Sequence, residues 1–117
     1  MPRHLTFDLE KPWRWYLHAP EIISTPVGRA NLAPSGYLWG VEVYEEWRGR
    51  GLGRELVRLM IAAAKQQGHC FVRLRVHATN DVALGLYIGL GFSPTGLEGT
   101  DSVGPWIELE LEFESDE

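Results

Sequence analysis

Apolar and polar positions alternate most cleanly near the end of the chain. In WIELELEFE (106–114), Ile107, Leu109, Leu111 and Phe113 keep one phase while Glu108, Glu110, Glu112 and Glu114 keep the other. That is the period of a strand with two unlike faces. YLWGVEVY (37–44) alternates in the same way and predicts another strand. Between them the period changes. Leu52, Leu56, Leu59, Met60, Ala63 and Ala64 form one stripe at about 3.6-residue spacing, which predicts a helix over 52–67. Gly68 is placed to end it in a left-handed conformation. CFVRLRVHAT (70–79) is expected to be a strand with Phe71, Leu74 and Val76 inward, the phase changing near Leu74, and Arg73, Arg75 and His77 outward. Asn80 and Asp81 can cap a second helix running to about Leu90, which Gly91 ends. FSPTG (92–96) opens a further strand, and 97–105 is expected to be rich in turns.

The first third carries strand patterns only: HLTFDL (4–9), WRWYL (13–17) and EIISTPVGRANL (21–32), with a turn at PSG (34–36). Pro26 and Gly28 interrupt the third, which favours an edge or a bulge. Strands followed by strand–helix–strand–helix–strand imply a mixed sheet with helices packed on it. The 117 residues suit a single domain over 1–117.

Charge narrows the ligand. The net charge is −5, so no broad basic surface is available for nucleic acid. The positive charge is concentrated in EEWRGRGLGR (45–54), where three arginines and three glycines fall within 48–54. The first turn of a helix has N–H groups without intrahelical partners, and the helix dipole adds about half a positive charge there. Glycine lets a phosphate approach those groups, and Arg48, Arg50 and Arg54 add forked donors. This turn is therefore expected to cradle phosphates; the plainer reading is a turn that only links strand to helix. A P-loop is excluded because no lysine follows the glycines. The dinucleotide fingerprint also fails, since Arg54 stands where its third glycine belongs.

One cysteine, Cys70, excludes an intrachain disulfide and any zinc site built on several thiolates. No run approaches about 18 apolar residues, and the first residues lack the core of a signal peptide. The expectation is a cytoplasmic protein with no membrane or nucleic-acid partner and no metal.

The motifs resemble the GNAT superfamily of acyl-CoA-dependent N-acetyltransferases. Arg48, Gly51 and Gly53 match its pyrophosphate loop, [Q/R]-x-x-G-x-[G/A] between strand and helix. Asn80, Ala83, Leu86, Tyr87, Gly91 and Phe92 match a second block, N-x-x-A-x-x-L-Y-x-x-x-G-F. The resemblance covers roughly Trp13 to Phe113. It implies an α/β (α+β) fold, a mixed and mostly antiparallel central sheet with helices on both faces. It implies acetyl-CoA as acyl donor and transfer to an amine by direct attack in a ternary complex. Backbone groups of Arg48, Gly49, Arg50, Gly51, Leu52 and Gly53 would hold the pyrophosphate, the strand around Val41 and Val43 would pair with the pantetheine, and Asn80 would help place it. Tyr87 matches the position that protonates the departing sulfur.

A lysine-like amine is neutral about once in a few thousand molecules at pH 7, so a base helps. Glu42, Glu45, Glu46 and His77 are candidates, with Glu42 preferred. The glutamate row of 106–114 is expected to be a solvated strand face, or a surface attracting a cationic amine. Members of the superfamily carry two helices between their first and second strands, and these help form the acceptor pocket. Here 4–9 passes almost directly into 13–17. The acceptor, a small molecule or a peptide amine, would meet a reduced half-site, and Phe7, Trp13, Trp15, Tyr16 and Ile22 would form an apolar patch. A homodimer would cover it and complete the site. The alternatives are a CoA-binding module without turnover and a small interaction domain that uses the fold alone.

Overall fold

The computed structural model describes residues 3–19 and 25–114. Four antiparallel strands, β1 (His4–Phe7), β2 (Arg14–His18), β3 (Gly28–Leu32) and β4 (Leu38–Val43), pair in sequence order. Asp8 ends β1 early by taking the N–H groups of Glu10 and Lys11 on one carboxylate oxygen. After a single 3₁₀ turn (Glu45–Trp47) comes α1 (Leu52–Gln66), then β5 (Phe71–His77), α2 (Asp81–Gly89), β6 (Ser93–Thr100) and β7 (Pro105–Glu112). The last three strands form a second sheet in the order β5-β7-β6.

The two sheets meet at one parallel bridge, Tyr37 to Arg73, where the Arg73 N–H donates to the Gly36 carbonyl at 3.0 Å. Beyond it β4 and β5 part. The reason lies in β4. Arg29 pairs with Glu42 and Asn31 with Trp39, so Ala30 alone opposes both Gly40 and Val41. This bulge bends the strand. Gly40 takes φ 59°, and a Cβ there would lie 2.7 Å from the Asn31 amide nitrogen, so only glycine fits.

Pairing fixes which side chains share a face. Leu17, Ala30, Leu32 and Leu38 of the first sheet and Val72, Leu74, Val76 and Leu109 of the second are buried in one core. The α1 stripe of Leu52, Leu56, Val57, Met60 and Ala64 packs on it, with Leu86, Tyr87 and Leu90 of the α2 region beside them. Both crossovers, β4–α1–β5 and β5–α2–β6, step the same way along the sheet. Right-handed connections then put both helices on the same face. Helices were expected on both faces; among the described residues the second face carries none.

Much of that second face is charged and internally paired. Arg29 bridges Glu42 at 3.1 Å, Arg73 bridges Glu110 at 2.5 Å, and His77 bridges Asp101 at 2.9 Å. The glutamate row of β7 is thus not simply solvated. Glu108 is buried and accepts from the Thr95 hydroxyl at 2.9 Å.

Three further expectations change. Val72, Leu74 and Val76 point inward without a phase change, and Phe71 lies outward beneath the Arg73 guanidinium, 4.0 Å from its ring centroid. The stretch 97–105 is mostly strand: Glu98, Gly99 and Thr100 pair with Ile107, Trp106 and Pro105. Trp15 packs against the core and edge-on to Phe7, leaving Phe7 (57% exposed) and Trp13 as the bare members of the expected patch, with Leu9 also exposed. Ile22 and most of the early part of the third expected strand lie outside the described residues.

Candidate active site

At the mouth of the splay, β4 feeds the glycine-rich turn. Gly49 and Gly51 hold φ of 79° and 75°, and Gly51 is the residue before α1. No side chain among the described residues caps this helix start, which leaves its first N–H groups open to an anion. The turn is pinned from below: Arg48 Nε donates to the Val43 carbonyl at 2.9 Å. Arg50 turns aside and stacks over Trp47, its guanidinium 4.8 Å from the ring centroid.

These groups open onto a cleft of 850 Å³. Val41, Glu42 and Val43 line it from β4; Arg48, Gly49, Gly51, Leu52 and Gly53 from the turn and α1; Asn80 and Tyr87 from α2 and its cap. Of the residues singled out in the sequence, Arg50, Arg54, Glu45, Glu46 and His77 do not line it. Asn80 is also committed locally, since its side-chain oxygen accepts the Ala83 N–H at 3.2 Å and caps α2. Its amide hydrogens have no partner among the described residues.

Tyr87 stands on the far wall, packed edge-on to Phe92 with centroids 5.7 Å apart. Burial pushes its phenol above the usual value, so the hydroxyl stays protonated at neutral pH and can donate. Glu42 faces the second side of the sheet, where Arg29 already holds it. His77 is turned to Asp101, whose carboxyl is held below its usual range by that contact and by the Val103 and Gly104 N–H groups. Glu45 and Glu46 sit exposed on the 3₁₀ turn and do not line the cleft.

Sequence reasoning missed Arg29, Gly40 and Trp47 in the lining. A glycine inside the alternation of 37–44 was a usable sign of a bulge. Nothing in the sequence tied Arg29 to Glu42, because that contact follows from strand register.

An open strand edge leading to a glycine-rich helix start is a geometry that can receive an extended, phosphate-bearing ligand. The chain matches the Acetyltransferase (GNAT) family over residues 4–92, and it belongs to that family. It is similar to N-acetyltransferase 8F1 of Rattus norvegicus, 35% identical over 71 residues, covering 61% of this chain and 30% of the relative. It is also similar to mycothiol acetyltransferase of Kocuria rhizophila, 44% identical over 65 residues, covering 56% of this chain and 22% of the relative. The chain thus spans less than a third of the length of these relatives. Among solved structures, the NatC complex bound to Gag peptide and CoA superposes with a TM-score of 0.74 at 21% identity, over 88% of this chain and 72% of the other. A GNAT family acetyltransferase from Elizabethkingia anophelis with acetyl-CoA bound gives 0.70 at 17%, over 86% and 75%. At these identities the likeness is one of fold.

Proposed function

We propose that the chain is an acetyl-CoA-dependent N-acetyltransferase that moves an acetyl group from the thioester to an amine by direct attack. The observation that carries this reading is the uncapped α1 start at Gly51, opening into the same cleft as Tyr87 and the free edge of β4. The donor fits these residues. The N–H groups of 49–53 suit a pyrophosphate, that of Arg48 being spent on the Glu45 carbonyl, with Arg50 supplying charge from outside the cleft. The β4 edge around Val41 and Val43 suits the amide-rich pantetheine arm as an added strand would, although the Val43 carbonyl is already spent on Arg48. Asn80 offers amide hydrogens beside it.

The donor supplies an activated acetyl carbon. Nitrogen of the neutral amine bonds to that carbon, the carbon–sulfur bond breaks, and the electron pair goes to sulfur. Tyr87 donates its hydroxyl hydrogen to the departing sulfur. Glu42, directly or through water, accepts the proton that the amine loses. Its carboxylate is already engaged by Arg29. That pairing is the one observation favouring a second reading, a CoA-binding module without turnover.

Free thiol appearing from acetyl-CoA only when an amine is present, across a panel of amine classes, supports the enzyme. Binding of CoA with no thiol release from any of them supports the module. One chain acting as one unit in the cytoplasm belongs to the same proposal, as does a homodimer joined along the β1 edge, where Phe7, Leu9 and Trp13 are bare.

A further inference from the structure

A second hollow, of 400 Å³, is lined by Tyr37, Leu38, Trp39, Gly40 and Arg75. It lies where β4 and β5 begin to part, on the side of the sheet away from the helices. Tyr37 is bridged to Arg73 just before the strands diverge, and Trp39 pairs with Asn31 on that same face. Gly40 lines this hollow and the large cleft alike. The two spaces therefore meet at the β4 bulge, and a molecule seated in the hollow can reach through the splay toward a donor held in the cleft.

The lining is chemically one-sided. Trp39 is 45% exposed and, with Tyr37, offers flat apolar walls. Arg75 is the charged member. Its guanidinium lies 4.0 Å from the Trp106 ring centroid and 5.8 Å from that of Tyr37. Stacking fixes the plane and leaves the edge N–H donors free. The acids nearby are engaged elsewhere. Glu110 bridges Arg73, and Glu108, directly across from Arg75 in register, is buried and accepts from Thr95. Burial and the neighbouring Glu110 push the Glu108 carboxyl up, which makes it a poorer anion for Arg75. Among the described residues Arg75 has no ion pair. A held cation with free donors, set between aromatic walls, is a receptor for a carboxylate on a flat apolar body.

Resting on the acetyltransferase reading, we propose that the acceptor is an amine that also carries a carboxylate and an aromatic or apolar body, with Arg75 receiving the carboxylate and Trp39 the body. A polycationic amine is disfavoured by the same arginine. The glutamate row, once a possible lure for cations, contributes no free charge to this hollow.

The test compares L-phenylalanine with phenethylamine, which has the same ring and amine but no carboxylate, and with spermidine. The expected kcat/KM for phenylalanine exceeds that for phenethylamine by on the order of tenfold or more, as one charge-assisted contact allows, and Arg75→Gln removes the difference. Binding is read separately by tryptophan fluorescence with N-acetyl-L-phenylalanine, which needs no turnover. Saturable binding to the parent, weakened on the order of tenfold in Arg75→Gln, supports the hollow. Stabilisation by CoA in both proteins shows that the variant is folded and that the donor cleft is intact. Absent CoA stabilisation counts against the enzyme reading and leaves the fluorescence result to decide the hollow. No saturable binding to the parent, equal binding to the variant, or faster transfer to spermidine overturns the proposal.

Discussion

At the scale of single residues, Tyr87 and Glu108 make opposite demands on their surroundings. Tyr87 is kept protonated by burial and faces the cleft. Tyr87→Phe keeps the ring and loses only the donor, so stabilisation by CoA should persist while turnover at saturating substrates falls. Positioned acids contribute about 10²–10⁴-fold, and the low end is expected because a thiol with pKa near 8.5 leaves readily. Unchanged turnover would make Tyr87 a packing residue. Glu108 has its carboxyl pushed up by burial and by Glu110. A carboxyl whose folded pKa is raised favours the folded state most when protonated, below the unfolded value, and loses that contribution as pH rises through the folded one. Glu108→Gln keeps an acceptor for Thr95 and removes the charge. Its Tm should exceed that of the parent at neutral pH, and the gap should close under acid; a variant less stable at neutral pH would show that Glu108 is ionised and paired. The residues of the cleft were legible because glycines, an arginine and a tyrosine recur at fixed spacings in a known family. The fates of Glu42 and Glu108 were not, because each depends on which residue a neighbouring strand sets beside it.

At the scale of elements, α1 was legible to within one residue from its apolar stripe and Gly68. α2 was found through its ends, Asn80 and Gly91, since its sequence has little amphipathic contrast. The start of β6 was read at FSPTG, but its run to Thr100 was hidden: SPTGLEGT holds two glycines and a proline, and its pairing with β7 slips between Pro94 and Glu98. The turn before α1 carries the sharpest prediction. Asp is tolerated better than most residues at positive φ, so Gly51→Asp tests charge more than backbone strain. Its carboxylate would sit at the helix start in place of a phosphate. The variant should fold and should lose stabilisation by CoA; retained stabilisation would move the phosphate site away from this turn.

At the scale of the whole molecule, the order of elements was legible but their layering was not. That both helices share one face follows from β6 lying beyond β5 on the side away from β4, a neighbour relation no local pattern encodes. The consequence is an open second face, polar and paired over most of its area, with the Trp39–Arg75 hollow at the splay. Assembly is a separate question, because the bare apolar residues Phe7, Leu9 and Trp13 cluster near the β1 edge. An unpaired edge strand with apolar neighbours invites pairing. Sedimentation at micromolar concentration should give twice the chain mass, and Phe7→Glu should shift it toward one chain. A fully active species of one chain mass would remove the partner from the account.

The central claim, that the glycine turn, β4 and α2 form one cleft for an acyl-CoA donor, is tested most directly by melting the protein with and without CoA. A ligand present at about 100 times its Kd adds about 2.7 kcal/mol to a native state that alone binds it. In a chain of this size that raises Tm by several degrees. The account predicts such a rise with CoA and with acetyl-CoA, saturating with concentration. An unchanged Tm at millimolar CoA would contradict it.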